Sequence, residues 1–207
     1  ALPADSLARA FLLASHAVAA VIGGRSLAEV VLAPAGELPA TRASAQELTY
    51  GALRRSGEGD ALLGRLLERP LAKPEVRALL LCALHRLDAR PDAAHTIVDQ
   101  AVEAAGQLAR GAFRGLVNGV LRSYLRQQTS LRSELHGDEA EYRHPAWWLN
   151  RLRAAYPESW PQIVAAGNAL PPMSLRVNCR HLTRDDYRQR LSAVEIESSP
   201  VGDAGLR

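Results

Sequence analysis

Up to residue 170 the apolar residues of this chain recur at intervals of three and four rather than two. That period stacks side chains on one face of a 3.6-residue turn, whereas a half-buried strand alternates. It predicts helices at 6–22, 26–32, 41–55, 60–68, 74–89, 95–109, 112–128, 145–156 and 158–170. Pro74 suits the first residue of a helix, and Glu75 suits the first turn. Val76, Leu79, Leu80, Ala83, Leu84 and Leu87 then form a wide apolar stripe, which marks this segment as the central core helix. The chain has 207 residues, 47% of them hydrophobic, enough to enclose one ordinary core. The expected class is all-α, a helical bundle.

The pattern changes after Pro171-Pro172. Leu175, Val177 and Cys179 alternate with Arg176, Asn178 and Arg180, which predicts a strand. Thr183, with Asp185 and Asp186 behind it, caps a short helix. Val194–Glu197 is expected as a second strand. A β-α-β piece of this size cannot enclose a core, so it reads as the beginning of a truncated α/β subdomain. The expected organisation is a helical domain over 1–132, a helical linker over 133–170 and the α/β piece over 171–207.

Several function classes drop out. Cys82 and Cys179 are the only cysteines, no framework for disulfides, which points to a reducing cytoplasm. Cys82 lies in an apolar run and reads as a small core residue. The apolar run Ala10–Ile22 is too short for a membrane span. Its spacing of Leu7, Phe11, Ala14, Val18 and Val21, with Asp5 and Arg9 nearby, favours an amphipathic helix over a signal peptide. Cys82 and His85 sit three apart, but no second pair joins them to complete a metal site. His95 and Asp99, four apart, read as an ordinary surface pair. There is no glycine-rich phosphate loop and no nucleophile with its base.

Charge is what remains. The net charge is +3, yet residues 107–153 hold eight Arg against four acids, so +4, leaving −1 for the rest. A local excess of this kind calls for an anionic partner. Lys73 is the only lysine, and Arg suits phosphate better through its planar fork. Within this region GAFRGLVNGVLRSYLRQQ, residues 111–128, has Phe113, Leu116, Val117, Val120, Leu121 and Tyr124 at helical spacing. Gly115, Gly119, Arg122 and Arg126 fall opposite the stripe of Phe113, Val117 and Val120. Each helical glycine costs ~1 kcal/mol relative to Ala. Either the glycines admit a neighbouring helix, or the bare backbone and the arginines face a phosphate chain. Downstream, YRHPAWWLNRLRAAYPESW, residues 142–160, mixes all three Trp with Arg143, Arg151 and Arg153. Trp148, Leu152 and Tyr156, spaced by four, are expected to bury one face. Trp147 and Arg151 point elsewhere and suit base stacking and phosphate contact. The candidate RNA-binding set is Arg110, Arg114, Arg122, Arg126, Arg132, Arg143, Trp147 and Arg151.

Four segments follow one another in a recognisable order: ELTYGALRRSGEGDALLGRLLERPLAKPEVRALL, RGLVNGVLRSYLRQQ, YRHPAWWLNRLRAAYPESW and PPMSLRVN. In this order they resemble the N-terminal part of the bacterial 16S ribosomal RNA cytosine-C5 methyltransferase B family. Residues 1–130 also resemble the transcription antitermination factor NusB, an all-helical RNA-binding fold. The segment His95-Thr96-Ile97-Val98-Asp99-Gln100 departs from the family's usual His-Ala-Ala type. The resemblance implies a parent enzyme that methylates C5 of a 16S rRNA cytosine with S-adenosylmethionine, using a Pro-Cys nucleophile and a second cysteine in a C-terminal domain. Cys82 follows Leu81 and Cys179 follows Asn178, so no catalytic or cofactor residue carries over. The chain is therefore expected to be an RNA-binding, cytoplasmic, non-catalytic fragment, with 16S rRNA and its own methyltransferase domain as partners. The alternatives are a stand-alone NusB-type regulatory module and a scaffold that packs on the catalytic domain.

Overall fold

A computed structural model describes residues 2–30, 34–169 and 171–207. The chain divides into two compact units, 1–161 and 162–207. The first holds α1 (Leu7–Ile22), α2 (Pro39–Arg54), α3 (Ser56–Leu66), α4 (Pro74–Ala89), α5 (Ala94–Ala105), α6 (Arg114–Ser133), α7 (Asp138–Tyr142) and α8 (Ala146–Ala155). The unit boundary falls inside α9 (Trp160–Asn168).

The bundle is built around α4. Val76, the whole run Ala78–Leu84 and Leu87 are buried, so this helix is enclosed on nearly every side rather than along one stripe. It packs against α1, α2, α3, α5 and α6. The Cys82 thiol is sealed in this core, and burial pushes its pKa well above the ordinary range. Around α4, α1 buries Phe11 and Val18 together with Ala8, Ala10, Ala14 and Ala17, small residues that let backbones approach. Its N-terminus is capped by the Ser6 hydroxyl, which accepts from the Arg9 N–H.

Several boundaries differ from the sequence expectation. A helix was expected at 26–32; the chain makes only a 3-10 turn at Leu27–Glu29, and 31 and 32 lie outside the described residues. α3 begins at Ser56 instead of 60, because Gly57 and Gly59 serve close packing and not a turn. α6 runs on to Ser133. The expected helix 158–170 is α9, with Leu170 outside the described residues. In α8 the fully buried side chain is Leu149; Trp148 and Leu152 are half-buried and Tyr156 is 53% exposed, which corrects the expected buried face. Tyr156 is past the last helical residue, so it leaves the four-residue register.

In the second unit β1 (Leu175–Arg176), β2 (Pro200–Val201) and β3 (Gly205–Leu206) form a small antiparallel sheet of order β1-β3-β2, with α10 (Arg184–Ser192) between β1 and β2 in sequence. Leu175 pairs with Leu206, and Val201 with Gly205. The Thr183 side chain caps α10 as expected, accepting from the Asp186 N–H. The strand expected at Val194–Glu197 does not form: Glu195 takes a left-handed φ of 61°, which breaks extended pairing there.

Candidate nucleic-acid interface

The sequence of α6 makes it two-faced. Val117, Val120, Leu121, Tyr124 and Leu131 are buried. Gly115, Gly119, Arg122 and Arg126 share the exposed side, within about 60° of arc by helical geometry. A Cβ added at Gly115 or Gly119 would meet nothing within 4 Å. Among the described residues no neighbouring helix uses the gap, so the glycines leave bare backbone open to solvent. Arg122 Nε donates to Asn118 Oδ1 at 2.8 Å, and Arg126 is 3.4 Å from Ser123 Oγ. Neither arginine pairs with a carboxylate among the described residues. Arg110 stands exposed before the helix, where Ala109, Arg110 and Gly111 all take positive φ. Left-handed backbone costs a non-glycine residue roughly 1–2 kcal/mol, so this turn is held by the helices on either side. Arg114 is 3.6 Å from Glu103 across an exposed pair.

Two grooves flank this ridge. One, of about 360 Å³, runs between α5 and α6 with Asp99 and Arg122 on its walls. The other lies against residues 66–72 and exposes Leu116, which is 38% accessible, beside Gly119.

Arg132 and Arg143 have other business. Glu58, buried in α3, meets Arg55 at 2.6 Å, Arg143 at 3.2 Å and Arg132 at 3.5 Å. Asp88, at the end of α4, meets Arg132 at 2.5 Å and Arg55 at 2.8 Å. Three arginines around two acids leave +1 on the cluster. Burial works against the Arg132 guanidinium, but Tyr124 and Asp88 hold its pKa above the ordinary value. For Arg55, burial likewise opposes the charge, and Glu58 and Asp88 outweigh it. The cluster ties α7 and its following turn to α3. Gly57 lies so close beneath them that a Cβ there would sit 2.3 Å from the Glu139 carbonyl. The sequence does not single out Glu58 or Asp88; its one signal is an acid close to apolar residues that the bundle buries, Leu62 and Leu63 after Glu58 and Leu84 and Leu87 before Asp88.

The aromatic segment separates into two sets. His144 stacks on Trp148 at 4.3 Å, Tyr142 meets Trp160 edge-on at 4.7 Å, and Arg153 lies 4.2 Å over the Trp160 ring. Trp147 is left 63% exposed, with exposed Arg151 one turn further along α8. The sequence candidates thus fall into three groups: Arg110, Arg114, Arg122 and Arg126 along α6; Arg132 and Arg143 at the buried acids; Trp147 and Arg151 on α8. Among the described residues there is no cluster of metal-ligating side chains, and no helix is long and apolar enough to cross a membrane.

Residues 14–126, more than half of the chain, match the NusB family. The chain belongs to the NusB family. Beyond the NusB part, residues 144–207 match the Methyltr_RsmF/B-like, ferredoxin-like domain. Ribosomal RNA small subunit methyltransferase B of Escherichia coli O6:H1 (strain CFT073) is 36% identical over 164 residues, covering 78% of this chain and 38% of that protein. The protein of the same name from Escherichia coli O7:K1 (strain IAI39) is 37% identical over the same length and coverage. This NusB-family chain therefore corresponds to the N-terminal part of the methyltransferase B family, as its motifs suggested, and spans about 38% of the length of these relatives. The crystal structure of PH0851 aligns with a TM-score of 0.57 at 12% identity, over 100% of this chain and 48% of that one, a likeness of fold alone.

Proposed function

We propose that this chain binds unpaired stretches of 16S rRNA along the exposed ridge of α6 and presents them to an S-adenosylmethionine-dependent cytosine-C5 methyltransferase domain, in the cytoplasm. One observation carries the reading. Gly115, Gly119, Arg122 and Arg126 occupy one open arc whose arginines form no ion pair with a carboxylate among the described residues, so bare backbone and guanidinium groups with donors to spare lie in line. Phosphate contacts of this kind position RNA without reading its sequence. Arg110 and Arg114 extend the ridge, while Trp147 and Arg151 supply a stacking face and a cation. Arg132 and Arg143 contribute through the net charge of their cluster, since both are engaged by Glu58 or Asp88. No residue of this chain is assigned to the cofactor or to catalysis.

The test is a salt series with a labelled single-stranded RNA. Neutralising about four phosphates gives a log–log slope near −3. Replacing Arg122 and Arg126 together by Glu should weaken binding to every sequence, including plain oligouridylate, and flatten the slope. Unchanged affinity across the series overturns the reading.

A second reading rests on exposed Leu116 beside Gly119, an apolar flank suited to a protein surface. In it the ridge docks the methyltransferase domain, and the same double variant keeps RNA affinity but loses that docking.

A further inference from the structure

The groove between α5 and α6 has a composition that the phosphate ridge does not explain. Val98 and Val102 from α5 and Leu125 from α6 give it an apolar lining. His95 and Asp99 stand on one wall, and Asn118 and Arg122 on the other. Opposite charges lining one groove ordinarily pair. Here no Asp99–Arg122 bridge forms within 4.0 Å among the described residues. The Asp99 carboxylate receives only a long 3.4 Å contact from the Gln100 amide. Arg122 is held by its Nε on Asn118 Oδ1 at 2.8 Å, which fixes the guanidinium and leaves its terminal nitrogens to donate elsewhere. The result is a slot with an acceptor on one side, a donor fork on the other and apolar surface between. Its volume of about 360 Å³ falls within the range of roughly 300–1,000 Å³ typical of small-ligand sites.

We propose that this groove receives an unpaired guanine of the RNA, a reading that rests on RNA binding along α6. The match is one of donors and acceptors. Guanine alone among the four bases carries two adjacent donors, N1–H and the N2 amine, which one carboxylate accepts together. Its opposite edge carries O6 and N7, the acceptors that arginine takes with its fork. Uracil offers a single ring donor, and the Watson–Crick edges of adenine and cytosine set an acceptor beside their amine, which repels a carboxylate. Valine and leucine faces accept the flat ring. Because Arg122 belongs to both ridge and groove, a strand following the phosphate ridge has a base within reach of the slot.

The experiment uses the 207-residue chain and labelled twelve-nucleotide oligouridylates carrying G, A, C or U at one central position. The expected result is about tenfold tighter binding for central G, in line with one good bidentate contact. Inosine, which lacks the N2 amine, and 7-deazaguanine, which lacks N7, should each lose part of that gain. Asp99→Asn, on an exposed helix position, should abolish the preference for central G with unaltered circular dichroism, while oligouridylate binds at least as tightly as to wild type, since a negative charge beside the ridge is gone. Equal binding of all four oligonucleotides, or a preference that survives Asp99→Asn, overturns the guanine site and leaves RNA binding standing. No binding of any RNA at low salt overturns both. Free GMP binding as tightly as the G-containing strand, with the same Asp99 dependence, overturns RNA as the source of the base.

Discussion

The Tyr124 hydroxyl donates a 2.5 Å hydrogen bond to Asp88 Oδ1, while Asp88 Oδ2 holds Arg132 and Arg55. One contact thus joins the buried face of α6 to the end of the central helix. Tyr124→Phe keeps the ring and removes the donor to a buried carboxylate, which should cost about 1–3 kcal/mol in urea unfolding at neutral pH. Burial, then Asp88, raise the phenol above its ordinary value of 10.0. A raised folded pKa means the wild-type advantage is complete below the unfolded value and is lost as pH rises through the folded one. The gap between wild type and Tyr124→Phe should therefore narrow above pH 10.0.

Leu80 is 0% and Leu84 2% exposed, both inside the helix that touches most of the bundle. Leu80→Ala or Leu84→Ala should each destabilise the chain by about 2–5 kcal/mol, the transfer term plus the residual cavity. Denaturant midpoints measure this; near-wild-type midpoints for both would displace α4 from the centre of the fold.

Glu47 bonds His85 Nε2 at 2.9 Å and Arg86 at 3.1 Å, linking α2 to α4. The His85 hydrogen bond, against some burial and with Arg86 helping, holds the Glu47 carboxyl below its ordinary value of 4.5. A depressed folded pKa gives stability that is present above the unfolded value and lost as pH falls through the folded one. Glu47→Gln should be less stable than wild type at neutral pH, and the difference should close as the pH falls below 4.5. A difference that grows in acid would contradict the sign. Asp60 works the other way: burial raises its pKa despite Arg77, so its ionisation disfavours the folded state as pH rises.

The helices legible in the sequence are those whose own apolar period is strong. Pro74–Ala89 falls where the period and Pro74 place it, because local preference and tertiary burial agree. Residues 56–59 fall between the expected helices 41–55 and 60–68, yet they are helical: Gly59 lies 2.6 Å (as a Cβ) from Leu81, and Gly57 lies under the turn after α7. Such contacts depend on residues far along the chain, which periodicity does not see. The candidate interface was half legible for the same reason. Counting charge found Arg122 and Arg126 on their open face. It could not tell that Arg132 and Arg143 turn to Glu58, an acid on another helix.

Glycines provide the sharpest contrast between packing and interface. A Cβ at Gly57 would collide with the Glu139 carbonyl at 2.3 Å and lie 3.0 Å from the backbone of Arg143 and His144. These are backbone atoms and cannot swing aside, so Gly57→Ala should push α7 and its turn off α3. The signature is faster amide hydrogen exchange and earlier proteolysis across residues 137–145, with the α4 amides still protected. At Gly115 and Gly119 a methyl group meets nothing within 4 Å, and neither has a left-handed φ. There alanine should raise stability by about 0.5–1 kcal/mol per site, since it removes the entropic cost of glycine in a helix. If the bare backbone exists only for folding reasons, the Gly115→Ala, Gly119→Ala double variant is a better protein in every assay. If it exists so that a phosphate chain can lie against the helix, the same variant unfolds at higher denaturant and binds single-stranded RNA more weakly. Unfolding and binding measured on one preparation separate these outcomes: a stabilised variant with undiminished RNA affinity would remove the glycines from the interface.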